Sequence, residues 1–229
     1  MNSHKELENK LKVSPDMLWN KEVMKQQVFT AVFVLAVYAV ILFLLKGSFK
    51  PFLGLHRWHE SFIDLFMTPK WYKEIFMGII AGTLISHLIV GLDLLVGSIM
   101  RKDIRKWLHR TDYLLPRTSS EKKWAFSITL LASTLEEIIF RAYILLAILP
   151  IWSHPIWAVL LLSAAFALLH GSLQGFWSTV WIFLVSIALC LSIVAGLSIY
   201  FVAAMHILVN LNNLFVIPIL YYKKKKNQE

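Results

Sequence analysis

Charge is scarce in the second half of this chain: from Trp124 to Tyr222 the only Asp, Glu, Lys or Arg side chains are Glu136, Glu137 and Arg141. About a quarter of an ordinary soluble sequence is charged, whereas this one has 16% charged and 58% hydrophobic residues and a mean hydropathy of +0.63. A soluble globular domain is thereby excluded. Cysteine is scarcer still: Cys190 stands alone in an apolar run, so an internal disulfide framework is impossible and a packing role is expected. No internal repeat occurs, and Gly and Pro do not break a matched pair of spans, which argues against a transporter using Glu136 and the histidines as a proton relay. The zinc-helix pattern His-Glu-x-x-His is absent, and no serine or cysteine stands beside a base in a nucleophile motif.

What is present is apolar length. Residues 28–45 carry no charge and are long enough to cross a ~30 Å hydrocarbon core as a helix. Further spans are expected over residues 75–100, from 124 to just before Pro150, and near 155–171, 175–193 and 197–221. The fold class predicted is an all-α, polytopic transmembrane helical bundle of about six spans, with an added interfacial or re-entrant segment. Its parts are an N-terminal segment (1–26), a membrane domain (27–222) whose functional core is about 124–213, and a basic tail (223–229).

Orientation follows from Lys and Arg in short loops. The loop 101–123 holds Arg101, Lys102, Arg105, Lys106, Arg110, Arg117, Lys122 and Lys123 against Asp103, Asp112 and Glu121, and the tail contains Lys223, Lys224, Lys225 and Lys226. Both are predicted cytoplasmic, and six spans then place the N-terminus there too, giving a multi-pass cell-membrane protein. The outer segment 46–73 runs against this rule with Lys50, Arg57 and Lys70, but its Phe52, Trp58, Phe62, Phe66 and Trp71 assign it to the headgroup interface. The net charge of +9 does not indicate nucleic acid. Its positive residues flank spans, where they meet anionic lipid.

An ionised group at mid-membrane costs roughly 2.5–3.5 kcal/mol even on a lenient insertion scale, so the three charges need partners or a wet cavity. Glu137 and Arg141 are four apart with the acid first, the favourable order for a helical pair. Glu136 is turned about 100° away and faces something else. Two later helices offer polar groups: His170, one turn after Phe166, and His206, one turn before Asn210. If three helices bring these faces together, Glu136 with His170 can take a proton from water and aim it at an amide carbonyl. His206 and Asn210 would then donate to the oxyanion. Zn²⁺ held by Glu136, His170 and His206, with water at the fourth position, is equally economical.

The order Glu-Glu-x-x-x-Arg (Glu136 to Arg141), Phe-x-x-x-His (Phe166 to His170) and His-x-x-x-Asn (His206 to Asn210) resembles the CPBP intramembrane proteases. These are the type II CAAX prenyl endopeptidases and their bacterial relatives, also called the Abi family. Any one motif is weak; three in order, each on an expected span, are specific. The resemblance implies that Glu136 activates water with His170, that His206 and Asn210 form the oxyanion site, and that Glu137 and Arg141 support them. It also implies a glutamate-type or a zinc-dependent mechanism. The substrate would be a membrane-associated peptide or protein, as in prenylated C-termini for eukaryotic members or in peptide processing and bacteriocin self-immunity for bacterial ones. A non-proteolytic scaffold of the same fold, binding a membrane partner, is the alternative, and retention of every motif position weighs against it. For His170, near the end of its span, to reach Glu136, either residues 171–175 stay at membrane depth beside a cavity open to the cytoplasm, or the third span starts later than residue 124.

Overall fold

The computed structural model describes residues 66–99, 115–171 and 176–218. Every element within them is helical: α1 (Trp71–Ile99), α2 (Ser119–Glu137), α3 (Pro155–Gly171), α4 (Phe176–Val194) and α5 (Ile199–Leu211). The polypeptide does not leave its helical path at the acidic pair. A π-helical turn, Ile138–Leu145, follows α2 directly, and an α-turn (Leu146–Ile148) and a 3-10 turn (Leu149–Ile151) complete the rod. A second π turn, Asn212–Val216, extends α5.

The all-α class therefore holds among the described residues, and the helices lie where the apolar runs predict them. Of these helices, two are long and apolar enough to cross a membrane, Trp71–Leu92 and Ile199–Val216; Pro155–His170 and Ser178–Val194 are shorter apolar helices. This is fewer than the six spans expected. The span expected at 28–45, most of the interfacial segment and the lysine tail lie outside the described residues. α2 falls short because Glu121, Lys122 and Lys123 occupy its first turns.

α2 begins at Ser119, earlier than the expected residue 124, because Thr118 and Glu121 form a capping box. The Glu121 backbone N–H donates to Thr118 Oγ1 at 3.2 Å, and the Thr118 N–H donates to Glu121 Oε2 at 3.1 Å, so each side chain satisfies a donor that the helix end leaves open. The N–H of Arg117 also donates to Glu121 Oε2. These bonds, Arg117's first, hold the Glu121 carboxyl below its ordinary pKa.

α5 is gripped by α1. The buried stripe of α1 is small: Gly78, Gly82 and Ser86. A Cβ on Gly78 would strike the Phe201 carbonyl, and one on Gly82 would sit 2.5 Å from the Met205 carbonyl oxygen and 2.9 Å from Leu208 Cβ. Gly-x-x-x-Gly here lets two backbones approach as membrane helices do. The other faces of α1, with Phe76, Ile80, Leu84 and Leu88, are exposed and apolar. Glu74 adds a polar clamp: its Oε2 accepts the Ser198 N–H at 3.0 Å, at the N-cap of α5. Between α4 and α5 the chain turns at Gly196 (φ +86°), with Gly196 N–H donating to Ile193 and Leu197 N–H to Ser192, the paired bonds of a Schellman ending.

The core gathers Ala142 and Leu145 of the π turn, Val159 and Leu162 of α3, Leu189 and Cys190 of α4, and Val202 and Met205 of α5. Cys190 is fully buried and accepts from the Ser163 hydroxyl at 3.8 Å, the packing position expected of it. His87 lies exposed on α1, its Nδ1–H donating to the Thr83 carbonyl at 2.8 Å. The side chain of Asp93 and the whole of Arg101 lie outside the described residues.

Candidate active site

Glu136 and Glu137 end α2, and the turn between them sends their carboxylates to different places. Glu137 is fully buried, as is Arg141. Arg141 Nη1–H donates to Glu137 Oε1 at 3.0 Å and Nη2–H to Ser186 Oγ of α4 at 2.7 Å. The guanidinium carbon also lies 4.5 Å from the centre of the Phe166 ring, where a cation is attracted by the ring's negative face. The π turn carries Arg141, and such wide turns recur at functional sites.

Glu136 is 27% exposed and is flanked by two imidazoles from other helices. His170, in the last turn of α3, places Nε2 3.5 Å from Glu136 Oε1. His206 of α5 places Nε2 3.8 Å from Glu136 Oε2. In each ring the other nitrogen is already committed: His170 Nδ1–H donates to the Phe166 carbonyl at 2.9 Å, and His206 Nδ1–H donates to Glu137 Oε1 at 2.6 Å. Those bonds leave each Nε2 facing Glu136, as an acceptor when the ring is neutral and as a donor when it is charged. The spacing, at or beyond the limit of a direct hydrogen bond, suits a water held among the three groups.

Phe166 serves as the aromatic wall. Its ring stacks on His170 at 4.3 Å, meets Phe140 edge-on at 4.9 Å and His206 at 6.0 Å. Asn210, one turn beyond His206, donates from Nδ2 to Ser133 Oγ at 3.0 Å. Glu136, His170, His206 and Phe166 thus lie together above the sealed Glu137–Arg141 pair, with Asn210 alongside on the α2 face. The contact between His170 and Glu136 sets the end of α3 at the level of the end of α2.

Four residues escaped the sequence reading. Ser133 precedes Glu136 by one turn and so shares its side of α2, a signal that was available. Ser186 is one hydroxyl in a long apolar run, and nothing in its neighbours marks it. Gly78 and Gly82 form a small-x-x-x-small pattern that could have placed α1 against another helix, though not against α5 in particular.

The donor set of Glu136, His170 and His206 has the chemistry of a zinc site, and each His donates its second N–H to an oxygen as metal-ligating histidines do. Among the described residues, however, no group of three His, Cys, Asp or Glu side chains is arranged to hold a metal ion. The residues as placed do not fit a zinc site, and no step below is routed through one.

No curated protein and no solved structure matches the chain. A family model does match, over residues 119–212, and it is described as type II CAAX prenyl endopeptidase Rce1-like. That segment runs from the capped start of α2 to the end of α5 and contains Glu136, Glu137, Arg141, Phe166, His170, His206 and Asn210. Over that site-bearing segment the chain is similar to the Rce1-like type II CAAX prenyl endopeptidases, the family that its three motifs resemble.

Proposed function

We propose that the chain hydrolyses a peptide bond in a membrane-associated peptide or protein, with Glu136 as the general base. The observation that carries this reading is the convergence of three helices on one carboxylate: His170 and His206 each turn Nε2 toward Glu136, at 3.5 and 3.8 Å. In the reaction Glu136, with His170, takes a proton from a water molecule. The hydroxide adds to the amide carbonyl, whose oxygen becomes anionic. Asn210 keeps one Nδ2 hydrogen for that oxygen, its other being held by Ser133. His206, when it carries a proton at Nε2, offers a second donor, and the Glu137 carboxylate on its Nδ1–H holds the ring in place. The proton on Glu136 then passes to the amide nitrogen as the C–N bond breaks, leaving a new carboxyl and a new amine. Preorganised donors in a low-dielectric site are the main source of rate in such chemistry.

The substrate class follows from where the site lies. Apolar helices surround it, so a segment held in or against the bilayer reaches it most directly. Prenylated C-termini, peptide precursors and bacteriocin-like peptides all meet that description. We place both termini and the basic loop on the cytoplasmic side, against anionic lipid, by the positive-inside rule.

The test is cleavage or the cellular phenotype at normal membrane levels in Glu136→Gln and His170→Ala. Both are expected to lose activity, by at least 10²-fold for a general base. Undiminished activity in both would favour the scaffold instead. Metal content of the purified protein, with and without a chelator, separates the two water-activation chemistries: glutamate-type action predicts unchanged cleavage after chelation.

A further inference from the structure

We propose that Ser133 is a positioning residue for the reaction, acting through Asn210; this rests on the hydrolytic reading above. Ser133 is 1% exposed and its oxygen accepts an Asn210 Nδ2 hydrogen at 3.0 Å from a helix 77 residues away. An amide nitrogen has two hydrogens in one plane. Holding one of them fixes that plane and leaves the second pointing in a set direction. Without Ser133 the amide can rotate about its last bond and present its carbonyl instead, which repels an oxyanion.

The location of Ser133 gives the contact its meaning. It lies three residues before Glu136, so the two side chains are neighbours on α2, roughly 5–6 Å apart at Cβ. The base that activates water and the anchor of the donor that receives the negative charge are therefore set on one rigid helical turn. A carbonyl carbon attacked from Glu136 must have its oxygen at Asn210, so the spacing of base and donor governs the near-attack geometry. α5 brings Asn210 to this turn, and the bond to Ser133 fixes its register against α2 independently of the His206 bond to Glu137.

The experiment begins from membranes of cells expressing the chain or Glu136→Gln, compared by mass spectrometry; peptides cleaved only in the first define the substrate. Rates on that substrate are then measured for Ser133→Ala, Ser133→Cys, Asn210→Ala and the double Ser133→Ala/Asn210→Ala. Cysteine nearly preserves the volume at this buried position while accepting hydrogen bonds poorly, so it reports even where alanine harms folding. We expect kcat to fall about tenfold in Ser133→Ala and Ser133→Cys with KM within twofold, against about 10²-fold for Asn210→Ala. In the Asn210→Ala background Ser133→Ala should change kcat less than twofold, because the group it acts through is gone. Wild-type kcat in both single Ser133 variants, or the same loss in both backgrounds, would overturn the proposal while leaving hydrolysis intact. If no cleavage depends on Glu136, the hydrolytic reading itself fails and this inference with it.

Discussion

Glu136 and Glu137 are adjacent in sequence and opposite in circumstance. Glu137 is sealed between Arg141 and His206, whereas Glu136 is partly open and flanked by imidazoles. Substitutions should separate them. Glu136→Gln removes a charge whose partners are loosely held, so thermal stability in detergent should hold or rise while cleavage disappears. Arg141→Met strands the buried Glu137 carboxylate, and breaking a buried pair in this way costs about 3–5 kcal/mol. Its melting temperature should drop sharply, and activity with it. The acidic pair was legible from sequence as a division of labour because a helix turns neighbours apart by about 100°. The roles of Ser133 and Ser186 were not, since a hydroxyl inside an apolar helix leaves no pattern until its partner from another helix is in place.

Helix boundaries and helix contacts differ in how much the sequence discloses. The apolar runs located α1, α3, α4 and α5 within a few residues, whereas the helical turns of α2 before Trp124 rest on the Thr118–Glu121 cap, to which hydropathy is blind. Removing the cap by Thr118→Ala should cost about 1 kcal/mol, measured by thermal unfolding. The Glu121 carboxyl has a lowered folded pKa, so its share of stability is present above the unfolded value and fades as pH falls through the lowered one. A melting temperature that declines on acidification should decline less in Glu121→Gln. At the contact of α1 with α5 the opposing glycines make a sharper prediction. Gly82→Val drives a side chain into the Met205 carbonyl and must push α5, with His206, away; stability and cleavage should both fall. Gly91→Val on the same helix meets nothing within 4 Å and should leave both unchanged.

At the scale of the whole molecule, three motifs in order were enough to indicate the family, because spacing survives in sequence even though convergence does not. That His170 could reach Glu136 was doubtful from helix arithmetic alone; it became clear only with the end of α3 placed beside the end of α2. The number and direction of spans are tested by labelling. Cys190 is fully buried, so the chain provides a silent background for a membrane-impermeant thiol reagent. Ser120→Cys, at an exposed position of α2, and Asn227→Cys in the basic tail should both react in inverted vesicles and not in intact cells. Labelling of either in intact cells would refute the orientation.

The central claim is that Glu136 drives hydrolysis of a membrane-associated chain, and the most direct measurement is the set of peptide C-termini in membranes from cells expressing the wild type or Glu136→Gln at equal levels. The account predicts discrete new C-termini with the wild type that vanish in the variant. Identical sets of C-termini, with both proteins folded and present in the membrane, would contradict it.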